Sequence, residues 1–288
     1  MIPNPPRLSR LALVALLSAS LASSACSASD ATGLDGEAEQ TASVLAHLRV
    51  TGDPEATNGA TWTYRDTVAG VVYDMAGILL EPAGAGPFPA VVVSHGYGGS
   101  AGNYSRNVGT TLRSWGLVVI ATNYTHAAGA PLGSPGTTAD LGASAANVQR
   151  ARRLVEILRA LSYVDTDRLA AHGHSMGAFV TLALVATHPD LFRAASHTAG
   201  GVRVDGVVGA APTESQGRAV RTPYQLHHGE LDAVVSLAAD QRFDALLGEQ
   251  GTAHELRVYP GYGHAEIASD ATMLARVREW YGRQGVLR

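Results

Sequence analysis

Between Thr61 and Leu80 apolar and polar positions alternate, first in Trp62 to Val68 and again in Val71 to Leu80, with Gly70 between the two segments. A period of two sets one side of each segment against a core and the other against water, which predicts an antiparallel pair of strands. Beyond Leu80 the pattern changes. Ala90 to Val93, Leu117 to Ala121, Arg168 to Ala171, Val204 to Gly209, Pro223 to Leu226 and Glu255 to Tyr259 are short, mostly apolar runs, as expected of strands buried on both faces of a parallel sheet. Helical spacing lies between them. In Leu141 to Leu161, Ala151, Leu154, Val155 and Leu158 recur at i, i+3, i+4, i+7 while Arg150, Arg152, Arg153, Glu156 and Arg159 face elsewhere. Ser269 to Tyr281 repeats the pattern with Met273, Val277, Trp280 and Tyr281. The sum is an α/β fold in one domain over 59–288: a mostly parallel twisted sheet with an antiparallel start and helices on both faces.

The first residues follow another logic. Arg7 and Arg10, the apolar run Leu11 to Ala22 and the small residues Ser23 to Ala28 read as an export signal over 1–28. The apolar run is too short for a membrane span. The one cysteine, Cys26, ends the stretch L-A-S-S-A-C, which resembles the lipobox of bacterial lipoproteins and would carry a lipid anchor. Ordinary secretion, with cleavage after Ala25 or Ala28, is the competing reading. Either way the expected location is outside the cytoplasm, secreted or anchored at a bacterial cell envelope. A single cysteine permits no internal disulfide. Residues 29–58, rich in small and acidic side chains at their start, are expected to form a flexible tether.

Composition narrows the chemistry. Hydrophobic residues make up 46% and charged residues 16% of the 288, which excludes disorder for most of the chain. The net charge of −4 and the absence of a basic run argue against a nucleic-acid partner. All 21 basic residues are arginine, so Schiff bases, Ser-Lys dyads and lysine-dependent phosphate loops are ruled out.

The sharpest feature is G-H-S-M-G at Gly173 to Gly177, directly after the strand Arg168 to Ala171 and before an apolar stretch. Glycines at these places allow a tight strand-to-helix turn that lifts the Ser175 hydroxyl to the sheet edge. A serine hydroxyl becomes a nucleophile when a base takes its proton, so a histidine and an orienting acid are expected downstream. Asp232 in H-H-G-E-L-D-A-V-V and His264 in Y-P-G-Y-G-H-A-E each follow an expected strand, 57 residues after Ser175 and 32 after Asp232. Glu230 and Glu214 are the rival acids. Two backbone donors for a developing oxyanion are offered by Tyr97, in H-G-Y-G-G after the strand Ala90 to Val93, and by Met176. The same glycine loop loosely matches a dinucleotide fingerprint, but Thr122 and Asn123 stand where a ribose-binding acid belongs. His172 with His174, or His227 and His228 with Asp232, lack a third ligand of clear metal spacing, so a structural role is the expectation.

On these residues, and on F-P-A-V-V-V-S-H-G-Y-G-G followed by W-G-L-V-V-I-A-T-N-Y, the chain resembles the α/β-hydrolase superfamily over about residues 60 to 285. More narrowly it is similar to the dienelactone hydrolase-like branch, which includes platelet-activating-factor acetylhydrolases, chlorophyllases and bacterial polyester hydrolases. The resemblance implies a Ser175, Asp232, His264 triad with Tyr97 and Met176 as oxyanion donors. It further implies a serine hydrolase cleaving carboxylic esters through an acyl-enzyme; the 57 residues between Ser175 and Asp232 leave little room for a large lid, so an open site suited to small or exposed acyl groups is expected. No metal or organic cofactor is implied. Dienelactone hydrolases carry cysteine where this chain has Ser175, and the disulfide common in polyester hydrolases has no counterpart. A small peptidase or amidase of the same fold, or a non-catalytic binding protein on this scaffold, are the alternative expectations.

Overall fold

The computed structural model describes residues 31–68, 70–128, 140–205 and 210–288. The expected export signal over 1–28 and Cys26 within it lie outside these residues. Among the described residues no helix is long and apolar enough to cross a membrane.

The described residues form nine strands: β1 (Leu48–Thr51), β2 (Ala60–Val68), β3 (Val71–Leu80), β4 (Phe88–Ser94), β5 (Val118–Thr122), β6 (Val164–His174), β7 (Ala194–Thr198), β8 (Tyr224–Gly229) and β9 (His254–Tyr259). They form one sheet in the order β1-β2-β3-β5-β4-β6-β7-β8-β9. The pairs from β1 through β3 to β5 are antiparallel, and every pair from β5 onward to β9 is parallel. The expected β2–β3 pair is therefore present, in register from Ala60↔Leu79 to Val68↔Val71.

Among the described residues seven α-helices accompany the sheet: α1 (Ala31–His47), α2 (Arg106–Ser114), α3 (Ala145–Ala160), α4 (Met176–Thr187), α5 (Glu214–Ala219), α6 (Leu237–Glu249) and α7 (Ala271–Arg283). Side chains cap the starts of α3 and α7: the Ser144 hydroxyl accepts from the Asn147 amide at α3, and the Asp270 carboxylate from the Met273 amide at α7. Central strands bury both faces. Ala90 and Val92 pack with Leu154, Leu158, Val180 and Phe243 of α3, α4 and α6. Val91 and Val93 pack with Leu112, Val277 and Tyr281 of α2 and α7. Each such Val or Leu, fully removed from water, contributes about 1.5–3 kcal/mol.

Two expectations are corrected. A strand over Val204 to Gly209 is not formed at its described positions, where Val204 and Asp205 lie outside any strand, and 206–209 fall outside the described residues. The strand in that place of the sheet is β7, whose Ser196, His197 and Thr198 are polar yet fully buried. Its hydroxyls and imidazole are satisfied by partners far along the chain, including Tyr281, Tyr224 and His174, so hydrophobicity does not mark it. A flexible tether was expected over 29–58, but α1 and β1 occupy 31–51, with Val44 and Leu48 in the core and β1 paired to β2. A four-residue edge strand is too short to show a period.

Buried histidines give the interior an acid-sensitive character. Burial pushes His95, His172 and His174 down to about 3, and His126 to about 4, from an ordinary value of 6.5. The unfolded chain binds these four protons below 6.5 whereas the folded one does not, so stability held above pH 6.5 is lost as pH falls toward 4. Each histidine contributes about 1.4 kcal/mol per pH unit to that slope. Urea denaturation between pH 7.5 and 4.5 should show a steep fall in unfolding free energy; a flat profile over that window would contradict the neutral interior.

Candidate active site

The chain turns sharply where β6 gives way to α4. Ser175, between them, has φ 56° and ψ −121°, a left-handed backbone that residues other than glycine rarely adopt. Its amide donates to Thr198 O at 3.0 Å, and its carbonyl accepts the Phe179 amide at 3.2 Å. The two flanking glycines are required by close approach. A Cβ at Gly173 would lie 2.3 Å from Gly177 O, and one at Gly177 would lie 2.1 Å from Ser94 O. The turn is thus pressed against the end of β4. From β4 the chain crosses to β5 on one side and then returns past it to β6 on the other; loops diverge at such a reversal and leave a crevice.

His264 and Asp232 come to this crevice from the loops after β9 and β8. Ser175 Oγ lies 2.9 Å from His264 Nε2, and His264 Nδ1 lies 2.7 Å from Asp232 Oδ2. All three expected side chains therefore meet, in the order hydroxyl, imidazole, carboxylate. The two loops are laced together, since the Glu230 amide donates to Tyr259 O and the Leu231 amide to Tyr262 O. The Asp232 side chain is buried whereas His264 is 18% exposed, which leaves the imidazole at the crevice floor. Burial alone would raise the Asp232 carboxyl. Hydrogen bonds from His228, His264 and the Val235 and Val234 amides instead hold it far below its ordinary value. An ionised carboxylate only accepts, so it fixes the proton on His264 Nδ1 and turns the Nε2 lone pair toward the serine O–H. Such an arrangement can draw a proton from Ser175 and hand it to a departing group.

The rival acids stand elsewhere: Glu230 Oε2 accepts from the Gly261 amide, and Glu214 pairs with Arg242 at 2.6 and 2.7 Å. Met176 opens α4 directly after Ser175, and Tyr97 lies in the turn after β4, its side chain 70% exposed. A Cβ at Gly96, next to Tyr97, would be 3.1 Å from Ser175 Cβ, so this turn borders the serine. Two neutral histidines hold it. His95 Nδ1–H donates to Gly96 O at 2.8 Å and its Nε2 accepts the Tyr124 amide at 3.1 Å; His126 Nε2–H donates to His95 O at 3.0 Å. Sequence reasoning set both aside, weighed His228 with Asp232 as a metal ligand before expecting a structural role for it, and passed over Asp240 behind Asp232. Asp240, wholly buried on α6, was the available signal, because a buried carboxylate needs a partner. Among the described residues no group of three or more His, Cys, Asp or Glu is arranged to hold a metal.

A doubly covered, mostly parallel sheet with this serine turn defines an α/β-hydrolase. The model of the dienelactone hydrolase family matches residues 75–279, and the chain belongs to that family. Among solved structures it is similar to an S-formylglutathione hydrolase from Agrobacterium tumefaciens (TM-score 0.63, 15% identity, 82% of this chain and 100% of that one). It is also similar to a Klebsiella pneumoniae protein described as a dienelactone hydrolase (TM-score 0.62, 18% identity, 77% and 98%). A third likeness is to a puromycin-hydrolyzing peptidase from Mycobacterium tuberculosis (TM-score 0.61, 19% identity), of which the 82% of this chain that aligns spans 45%. No curated protein matches the chain.

The contact at Gly177 is testable without any substrate. Gly177→Ala should force the turn off β4, because its new methyl meets backbone and not a yielding side chain. Overpacking of this kind costs roughly 1–3 kcal/mol or more, so a lowered thermal midpoint is expected, and an unchanged one would show that the turn has slack.

Proposed function

We propose that the protein is a serine hydrolase that cleaves carboxylic esters through an acyl-enzyme. The observation that carries this reading is the continuous hydrogen-bond line from Ser175 through His264 to Asp232. In the first half-reaction His264 Nε2 takes the hydroxyl proton as Ser175 Oγ bonds to the substrate carbonyl carbon. The tetrahedral oxyanion is held by the Tyr97 and Met176 amides. Its collapse breaks the C–O bond, and the alcohol leaves with the proton from His264. Water then repeats the steps and releases the acid, with Asp232 stabilising each transient imidazolium. Tyr97, Leu231 and Val234 support an apolar substrate part, since these large side chains are exposed by 70%, 64% and 62% on the two loops that flank the serine. The likeness to a peptidase keeps amide cleavage as a second reading.

A p-nitrophenyl acetate-to-butyrate series, run beside a matched anilide, separates these readings. Ester turnover should fall by about 10³-fold or more in Ser175→Ala, and the anilide should be turned over far more slowly than its ester. Equal ester rates for wild type and variant would remove the catalytic role of Ser175; comparable anilide turnover would favour the amidase.

A further inference from the structure

Behind Asp232 lies a buried charged cluster that the mechanism above does not use. His228 on β8, Asp240 on α6 and His197 on β7 are each fully enclosed. His228 Nδ1 is 2.7 Å from Asp240 Oδ2. Its Nε2 is 2.9 Å from Val235 O and 3.4 Å from Asp232 Oδ2, the same oxygen that His264 reaches. A carbonyl oxygen can only accept, so Nε2 must carry hydrogen. Asp240 also meets His197 Nε2 on Oδ1 at 2.7 Å, while His197 Nδ1 lies 3.0 Å from the Tyr224 hydroxyl. Asp240, held below the ordinary carboxylate value by the imidazoles it faces, accepts on both oxygens, so His228 Nδ1 carries hydrogen as well. Both nitrogens of His228 are donors, and the ring is a cation between two carboxylates.

We propose that His228 is a positioning residue: an imidazolium held between Asp240 and Asp232 that keeps the Asp232 carboxylate ionised and its Oδ2 turned to His264. The inference rests on the reading of Ser175, His264 and Asp232 as the reacting set. Burial would lower the His228 proton affinity, but Asp232, Asp240 and the Val235 carbonyl outweigh it and push the group up to about 10. Burial opposes the charge on Asp240 too, and His197 and His228 hold it below the ordinary carboxylate value. The groups facing His228 are Asp232 from the loop after β8, Asp240 from α6 and His197 across the shared carboxylate, with His264 and His174 beyond Asp232. Asp232 thus receives two amides on Oδ1 and two imidazoles on Oδ2, which leaves it no freedom to rotate. A fixed positive charge at Oδ2 also disfavours a second one forming close to it.

Two measurements test this. In the first, kcat and KM for p-nitrophenyl acetate are followed against pH in wild type, His228→Gln and the charge-balanced double variant H228Q/D240N, each normalised to active sites titrated with a fluorophosphonate. Loss of the cation should move the acid limb of kcat/KM up by about half a unit or more and lower kcat about tenfold with KM within twofold. A merely structural role would reduce the titratable fraction and leave the limb in place; an unmoved limb in the folded variants overturns the proposal. In the second, ring ¹⁵N signals of histidine-labelled wild type and Ser175→Ala are recorded at pH 7 to 8. One ring with both nitrogens protonated, absent from His228→Gln, is the expected result, and a neutral His228 overturns the proposal. This readout needs no turnover, so it stands or falls apart from the esterase reading, which fails if Ser175→Ala keeps wild-type activity.

Discussion

The left-handed backbone at Ser175 is the constraint on which the rest of the site depends. A non-glycine residue in this region carries strain of about 1–3 kcal/mol and persists only where its surroundings over-determine it. They do so here. Every residue of α4 from Met176 to Ala186 is buried, so the helix cannot slide to relax its first turn without exposing apolar surface. At the other end the Ser175 amide is tied to Thr198 O, and Gly177 sits against the last carbonyl of β4. The hydroxyl is thus aimed by three strands at once. Thr198 is followed by Ala199, also left-handed at φ 54°, and the Ala199 amide in turn reaches His227 O. The bend propagates across the ends of neighbouring strands.

Burial alone would make every interior histidine neutral, and most of the described ones conform. His172 Nδ1 shares a hydrogen bond with Ser196, and His174 Nδ1 with Thr198; neither neighbour carries a charge, and desolvation decides the outcome. Neutral rings also suit the turn after β4. His95 uses one nitrogen to donate and the other to accept, a pattern that a protonated ring could not make. The acid-binding side of the site obeys the opposite rule, because there the partners are carboxylates.

Much of the architecture could be read before the structure was known. The β2–β3 alternation, the buried strands β4, β5, β6 and β8, helices α3 and α7, and the positions of Ser175, Asp232 and His264 followed from period, glycine placement and chain order; β9 was expected to be buried on both faces, but it is the sheet edge and of its residues Tyr259 alone is buried. What escaped shares a physical cause. β7 is a buried strand whose polar side chains are satisfied by residues 24 to 85 positions away, and sequence periodicity sees only local hydrophobicity. The part His228 plays was not legible for a related reason: it comes from Asp240, which reaches it only after α6 has folded back on the sheet. β1 was read as tether because a four-residue edge strand leaves little pattern, and α1 because its start is rich in small and acidic side chains without apolar periodicity.

His227 and His228 show how far position, and not residue type, fixes the chemistry. They are adjacent on β8, so their side chains leave opposite faces of the sheet. His227 meets the Tyr259 hydroxyl at 2.8 Å and Gln225 Oε1 at 2.9 Å, one able to donate and the other only to accept. Burial against such partners pushes its proton affinity well down. His228, one peptide further, meets a backbone carbonyl and two carboxylates and is pushed up. A slip of one residue in the β8–β9 register, set by His227↔Arg257 and His228↔Val258, would exchange these environments and place a neutral ring beside Asp232. The charge next to the acid is therefore a consequence of sheet register, held by the same apolar packing of β8 that keeps Tyr224 and Leu226 in the core.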